Sequence, residues 1–104
     1  MSTVGTYPAE KKPAGYRQLT VSSTAVGLAD ATGGIPAFAT RAVITVEADA
    51  IRWRDDGVDP TSTVGMPAAK DSSFELPSAE SIADFKAIRV NTTDVKLNIV
   101  YYQS

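Results

Sequence analysis

Three carboxylates crowd one short stretch. Asp55, Asp56 and Asp59 follow directly on Trp53, the only tryptophan of the chain, which stands between Arg52 and Arg54. Calcium takes oxygen ligands, and a loop with three Asp offers them. A Trp flanked by Arg offers a ring on which a base or a sugar could stack. Each chemistry has a plainer competitor. The Asp spacing lacks the alternating ligands ahead of the Gly, and the distant Glu, that an EF-hand requires. Asp beside Gly57 and Pro60 is turn chemistry, because Asp bonds its own backbone and Gly takes positive φ at little cost. Trp53 also keeps the phase of Ile51, which assigns its ring to the core. The residues therefore predict a turn and a packed indole, with no metal and no cofactor.

Catalytic constellations are missing from the pattern. The chain has no His and no Cys, which removes imidazole and thiol chemistry, disulfides and most zinc sites. A Ser nucleophile would need Lys or an amine as its base, and neither S-x-x-K nor G-x-S-x-G occurs. Glu47, Asp49, Glu75 and Glu80 could serve a glycosidase, but nothing in the spacing pairs any two of them across a cleft. Gly33-Gly34 lacks the Lys-Ser and the helix of a phosphate loop. The expectation is a protein that is not an enzyme.

The elements that position these residues read as strands. Ala42, Ile44, Val46 and Ala48 alternate with Thr45, Glu47 and Asp49, the period of a half-buried strand. Ile51 and Trp53 continue the apolar face in the opposite register, so the chain must bulge or bend across residues 48–50 to keep both sets inside. Tyr16–Ser22 is a first strand with Leu19 and Val21 on one face. Val26, Leu28, Ile35 and Phe38 plug the core edge from the irregular connection that follows. Residues 58–70 read as a long loop, the kind that often carries an interaction. Ser73–Leu76 is a short strand closed by Pro77, and Ser78–Phe85 makes one helical turn with Ile82 and Phe85 on one side. Lys86–Val90, with Ile88 and Val90 inward, and Val95–Tyr102 read as a terminal hairpin around the polar turn 91–94. The expected core is Ile44, Val46, Ile51, Trp53, Phe74, Ile88, Leu97 and Ile99. Short strands bounded by Gly, Pro, Asn and Asp predict an all-β fold, an antiparallel β-sandwich of jelly-roll type.

With 104 residues the chain holds one domain, placed at 16–104, preceded by an extended amino-terminal arm at 1–15 that shows no periodicity. The arm reads either as a frayed terminus or as a segment that orders on a neighbouring subunit. Residues 1–17 carry Lys11, Lys12 and Arg17 against Glu10, a net +2; the whole chain is −2, so the remainder is −4. That balance does not favour nucleic acid or an anionic membrane. No apolar run approaches the ~18 residues of a membrane span, and the amino terminus lacks the apolar segment of a signal peptide.

Several stretches together resemble a group of small tailed-phage and prophage virion proteins: SSTAVGLAD (22–30), AVITVEADAIRWRDDGVDPTSTVGMP (42–67), FEL (74–76) and FKAIRV…VKLNIVYY (85–102). Members read as a strand, an aromatic flanked by Arg, DDG, and a Pro-Thr-x-x-x-Gly loop. The resemblance covers roughly residues 16–102 and leaves the arm out. It implies a non-enzymatic virion component made in the bacterial host cytoplasm, most simply a capsid cement or decoration protein bound to the major capsid protein or other virion subunits, as a trimer or dimer. A head–tail connector or tail-associated subunit is the alternative within the structural class, and a carbohydrate-binding module at a tail tip is one outside it. The candidate interface residues are Tyr7, Lys11, Lys12 and Tyr16 from the arm and its junction, and Asp55, Asp56 and Asp59 from the turn.

Overall fold

The computed structural model describes residues 12–103. In chain order the elements are β1 (Lys12–Val21), β2 (Val26–Gly27), a 3₁₀ turn (Leu28–Asp30), β3 (Arg41–Glu47), β4 (Ile51–Arg54), β5 (Met66–Ala68), β6 (Ser73–Leu76), α1 (Ala79–Asp84), β7 (Lys86–Arg89) and β8 (Val95–Gln103). They form two four-stranded sheets, ordered β1-β8-β3-β6 and β2-β7-β4-β5, and each of these pairings is antiparallel. The fold is all-β apart from the short α1. The pairings are nested: β4 with β5, β3 with β6, β2 with β7, β1 with β8.

One apolar cluster draws its residues from both sheets. Leu19, Val21, Ala42, Ile44, Val46, Leu76, Val95, Leu97, Ile99 and Tyr101 come from the first sheet, and Ile51, Ala68 and Ala87 from the second. Leu28 and Ile82 plug it from the connections. Ile44, Val46, Ile51, Leu97 and Ile99 are buried as their alternation predicts. The phase slip at 48–50 has a physical cause larger than a bulge: the chain leaves the first sheet after Glu47 and enters the second at Ile51. Ala48 turns the corner at φ 88°. The Asp49 carboxylate accepts from the Ala50 amide at 2.7 Å and from Asn91 Nδ2 at 3.1 Å, which ties this crossover to the one between β7 and β8.

Several expectations need correction. Lys86–Val90 and Val95–Tyr102 do not form a hairpin. β7 pairs with β2 and β4, β8 with β1 and β3, and residues 90–94 cross between sheets. The phase of β7 is also reversed. Phe85 and Ala87 are buried, while Ile88 lies on the outer face opposite Arg52. The span 58–70 is not all loop, since β5 completes a hairpin with β4. β1 starts at Lys12, so residues 12–15 of the expected arm are strand, with a register shift between Pro13 and Gly15. Pro is tolerated there because β1 is an edge strand. Residues 1–11 lie outside the described residues.

The aromatics differ from expectation too. Trp53 and Phe74 are only partly buried, at the rim of the core, whereas Phe85 is fully buried. The three rings stack across the sheets: Trp53–Phe74 at 4.7 Å and 4°, Trp53–Phe85 at 5.7 Å, Phe74–Phe85 at 6.1 Å. Phe38, expected to plug the core edge, is 81% exposed with φ 66°. The segment that carries it runs over Gly15 and Arg17 instead. Pro36 would lie 3.1 Å from a Cβ at Gly15, and Arg17 Nε donates to the Gly34 carbonyl at 3.0 Å.

Candidate functional site

The expected interface residues fall at two separate places. Tyr7 and Lys11 lie outside the described residues. Lys12 is exposed at the start of β1, paired in register with Gln103. Tyr16 is 54% exposed on the outer face of the first sheet, opposite Val100. Its hydroxyl donates to Asn98 Oδ1 at 2.6 Å, Gln18 Nε2 donates to the same oxygen at 3.1 Å, and Asn98 Nδ2 donates to Glu47 Oε1 at 2.8 Å. This row crosses β1, β8 and β3, so the Tyr16 ring stands on a hydrogen-bonded base. Asn98 is the residue that sequence reading missed. It lies in the outward phase of β8, but its neighbours depend on register, which no local pattern reveals.

The acidic turn forms the tip of the β4–β5 hairpin. Arg54 donates to Asp56 through Nε at 3.0 Å and through a second nitrogen at 2.5 Å. That hydrogen-bonded guanidinium holds the Asp56 carboxyl down at about 2. Asp55 Oδ2 accepts from Ser81 Oγ at 2.6 Å and fastens the tip to α1, whose Ser78 side chain caps the Ser81 amide. Asp59 is exposed beside the buried Pro60. Beyond it, the Thr61 amide donates to the Val64 carbonyl at 2.9 Å, and Thr61 Oγ1 accepts from the amides of Thr63 and Val64. Among the described residues, no three His, Cys, Asp or Glu side chains gather into a group that could hold a metal ion.

Asp55, Asp56, Arg54, Gly65 and Met66 line a shallow hollow of about 330 Å³. A carboxylate paired to a guanidinium, with its pKa held at about 2, is a poor proton donor at neutral pH. The arrangement suits charge recognition, with Met66 (57% exposed), Val58 and Val64 (each 51%) as apolar surface around it. A second hollow of about 300 Å³ adjoins it through Met66 and runs between the free edges of β5 and β6. The two are separated from Tyr16 by the sheet itself, since β1 and β6 occupy opposite edges.

Gly65 sets the shape of the tip. It has φ 138°, and a Cβ there would meet Pro60 Cβ at 3.1 Å and Arg52 Cβ and the Trp53 carbonyl oxygen at 3.2 Å each. Its own carbonyl accepts from Arg52 at 2.8 Å. Gly65→Ala is expected to cost about 1–2 kcal/mol, the scale of forcing an L-residue into such a backbone. A denaturant titration checks it, and an unchanged midpoint would show that the tip relaxes freely.

Comparison with protein-family models, with curated proteins and with solved structures finds no match for the chain. The likeness to phage virion proteins therefore rests on the residue pattern quoted above.

Proposed function

We propose that the protein is a non-enzymatic structural component of a phage virion, a cement or decoration protein bound to the major capsid subunits, and that its two sheets make a jelly-roll sandwich. The observation that carries this reading is the strand order, 1-8-3-6 beside 2-7-4-5. A long ribbon of nested strand pairs, rolled so that alternate pairs fall in opposite sheets, produces that order. Double-sheet rolls of eight strands recur in viral capsid domains and lectins. The resemblance of the residue pattern to small virion proteins points to the first of these.

A cement protein works by repetition. Each copy adds a modest contact, and the symmetry of the shell multiplies it. Residues 1–17 carry the net +2 and the rest of the chain −4, so the amino-terminal segment is the part drawn to acidic rims on a neighbour. Tyr7 and Tyr16 are its aromatic anchors.

The decisive measurement is stoichiometry. In purified particles the protein is expected at a copy number comparable with that of the major capsid protein; a small fraction of that number would make it a connector or tail-tip subunit. Removing residues 2–11, upstream of β1, is expected to leave the thermal melt nearly unchanged and to weaken recruitment to particles at least tenfold, with wild-type recruitment falling as salt rises. Full recruitment of the shortened chain would move the binding surface to the β4–β5 tip.

A further inference from the structure

Each four-stranded sheet ends in two edge strands, and an unpaired edge offers its main chain to any extended partner. Three of the four edges are blunted. β1 is overlaid at its middle by the segment before β3, where Pro36 lies against Gly15 and Arg17 Nε donates to the Gly34 carbonyl at 3.0 Å. β5 has Pro67 at its centre, which has no N–H to give. β2 is two residues long. β6 differs from these. It has no Pro within Ser73–Leu76, and Ser73 and Glu75 are exposed. Its single charge, on Glu75, is paired to Arg41 of the neighbouring β3.

The ladder shows which groups of β6 are left over. The Val46 amide donates to the Ser72 carbonyl at 2.9 Å. Antiparallel bonding alternates, so Phe74 opposite Ile44 and Leu76 opposite Ala42 turn their N–H and C=O toward β3. Ser73 and Glu75 therefore turn theirs to the open side. The Thr45 and Ser73 hydroxyls, 3.2 Å apart, fit the close side-chain approach of a pair that shares no main-chain hydrogen bond.

We propose that β6 pairs with β6 of a second copy, antiparallel across a two-fold axis at Phe74, and joins the two first sheets into one. The strand is complementary to itself in that register. Ser73 stands opposite the partner's Glu75, and Glu75 opposite the partner's Ser73. Both pairs turn N–H and C=O to the seam, so each exchanges two main-chain hydrogen bonds and no outward group of either residue is left over. A hydroxyl also faces each carboxylate. Between them Phe74 meets the partner's Phe74 in the closer kind of pair, on the side where Trp53 stacks on it at 4.7 Å. Other registers are poorer. Sliding by two residues sets Glu75 against the partner's Glu75, like charges face to face, or Ser73 against the partner's Ser73 with less overlap. Sliding by one sets residues that turn toward β3 against residues that turn outward, and the ladder is lost. The same patch serves both copies, so the contact closes as a dimer. It does not depend on the virion reading, and the test uses the purified chain alone.

The experiment is sedimentation of the full chain over a range of concentrations. The wild type is expected to form a dimer and nothing larger. Glu75→Pro removes an outward N–H of β6 and spares its main-chain bonds to β3, and is expected to weaken the dimer at least tenfold. Ser73→Pro serves the same end should the first variant misfold by circular dichroism. Two more variants read the register. Ser73→Glu sets a carboxylate against the partner's Glu75 and is expected to weaken the dimer at least tenfold. Ser73→Lys sets an ammonium there and is expected to associate at least as tightly as the wild type, with a gain that fades as salt rises. A wild type that stays monomeric, or that grows past the dimer, would overturn the proposal, as would a folded proline variant that dimerises normally. Equal effects of Ser73→Glu and Ser73→Lys would overturn it too, since Ser73 would then not face Glu75. Loss of the dimer on removing residues 2–11 would overturn it as well, because a neighbour's amino-terminal segment would then be the strand that occupies the edge.

Discussion

Phe85→Ala is expected to remove about 3–5 kcal/mol of stability, the usual cost of deleting a buried aromatic ring. A domain of this size has only about 5–15 kcal/mol in total, so the variant stands near the edge of folding. Phe85 ends α1 and leads into β7, is fully buried, and stacks on both Trp53 and Phe74. Its loss opens a cavity where the two sheets meet and leaves the Trp53–Phe74 pair supported from one side fewer. Trp53→Ala is expected to cost less, although the indole is larger, because Trp53 is already partly exposed to water. Urea titrations of the two variants check the order. If Trp53→Ala proves the more damaging, the rim stack and not the interior ring holds the sheets together.

The second large effect is alkaline. Tyr101 is fully buried in β8, and its hydroxyl has no hydrogen-bond partner among the described residues. Burial pushes its pKa up to about 12 from an ordinary value of 10.0. The buried phenol is thus kept neutral while the unfolded chain ionises. The corresponding stability is complete below pH 10 and is lost as pH rises toward about 12. A rise of that size corresponds to about 2–3 kcal/mol at the most, and about 2 is the expected size after solvent screening. Tyr101→Phe removes the ionisation and an unpaired buried oxygen together. It is expected to be as stable as the wild type or more so at neutral pH, and to fall less steeply between about pH 10 and 12. Parallel alkaline slopes for the two proteins would show that the Tyr101 hydroxyl finds a partner in solution.

The strands that alternate cleanly are legible in the amino-acid sequence. β3, β6 and β8 lie where their period of two places them, and α1 occupies the one-turn helix expected at 78–85. Burial of one face is a local requirement, and a local pattern records it. The acidic tip is legible as a turn for a similar reason. Asp56 and Gly57 meet the needs of their own backbone, the first through its bonds with Arg54 and the Val58 amide, the second at φ 82°.

Pairing is not legible. Period two states which face a residue takes and says nothing of which strand lies beside it. β7 and β8, neighbours in sequence, therefore have the pattern of a hairpin although they belong to different sheets. The slip at Ala48 carries the right information, that both apolar sets go inside, but a bulge and a crossover between sheets leave the same trace in sequence. The surface is hidden for a related reason. Phe38 and Trp53 have the composition of core residues. Only the path of the chain around Gly15 and Arg17, and the free edges of β5 and β6, leave one ring in solvent and the other at the rim. Hydrophobicity alone determined that these residues would be drawn toward burial. Which of them reached the interior was decided by the path of the chain, because in the segment that leads into β3 the buried position falls to Ala39, next to Phe38, while Phe38 itself faces solvent.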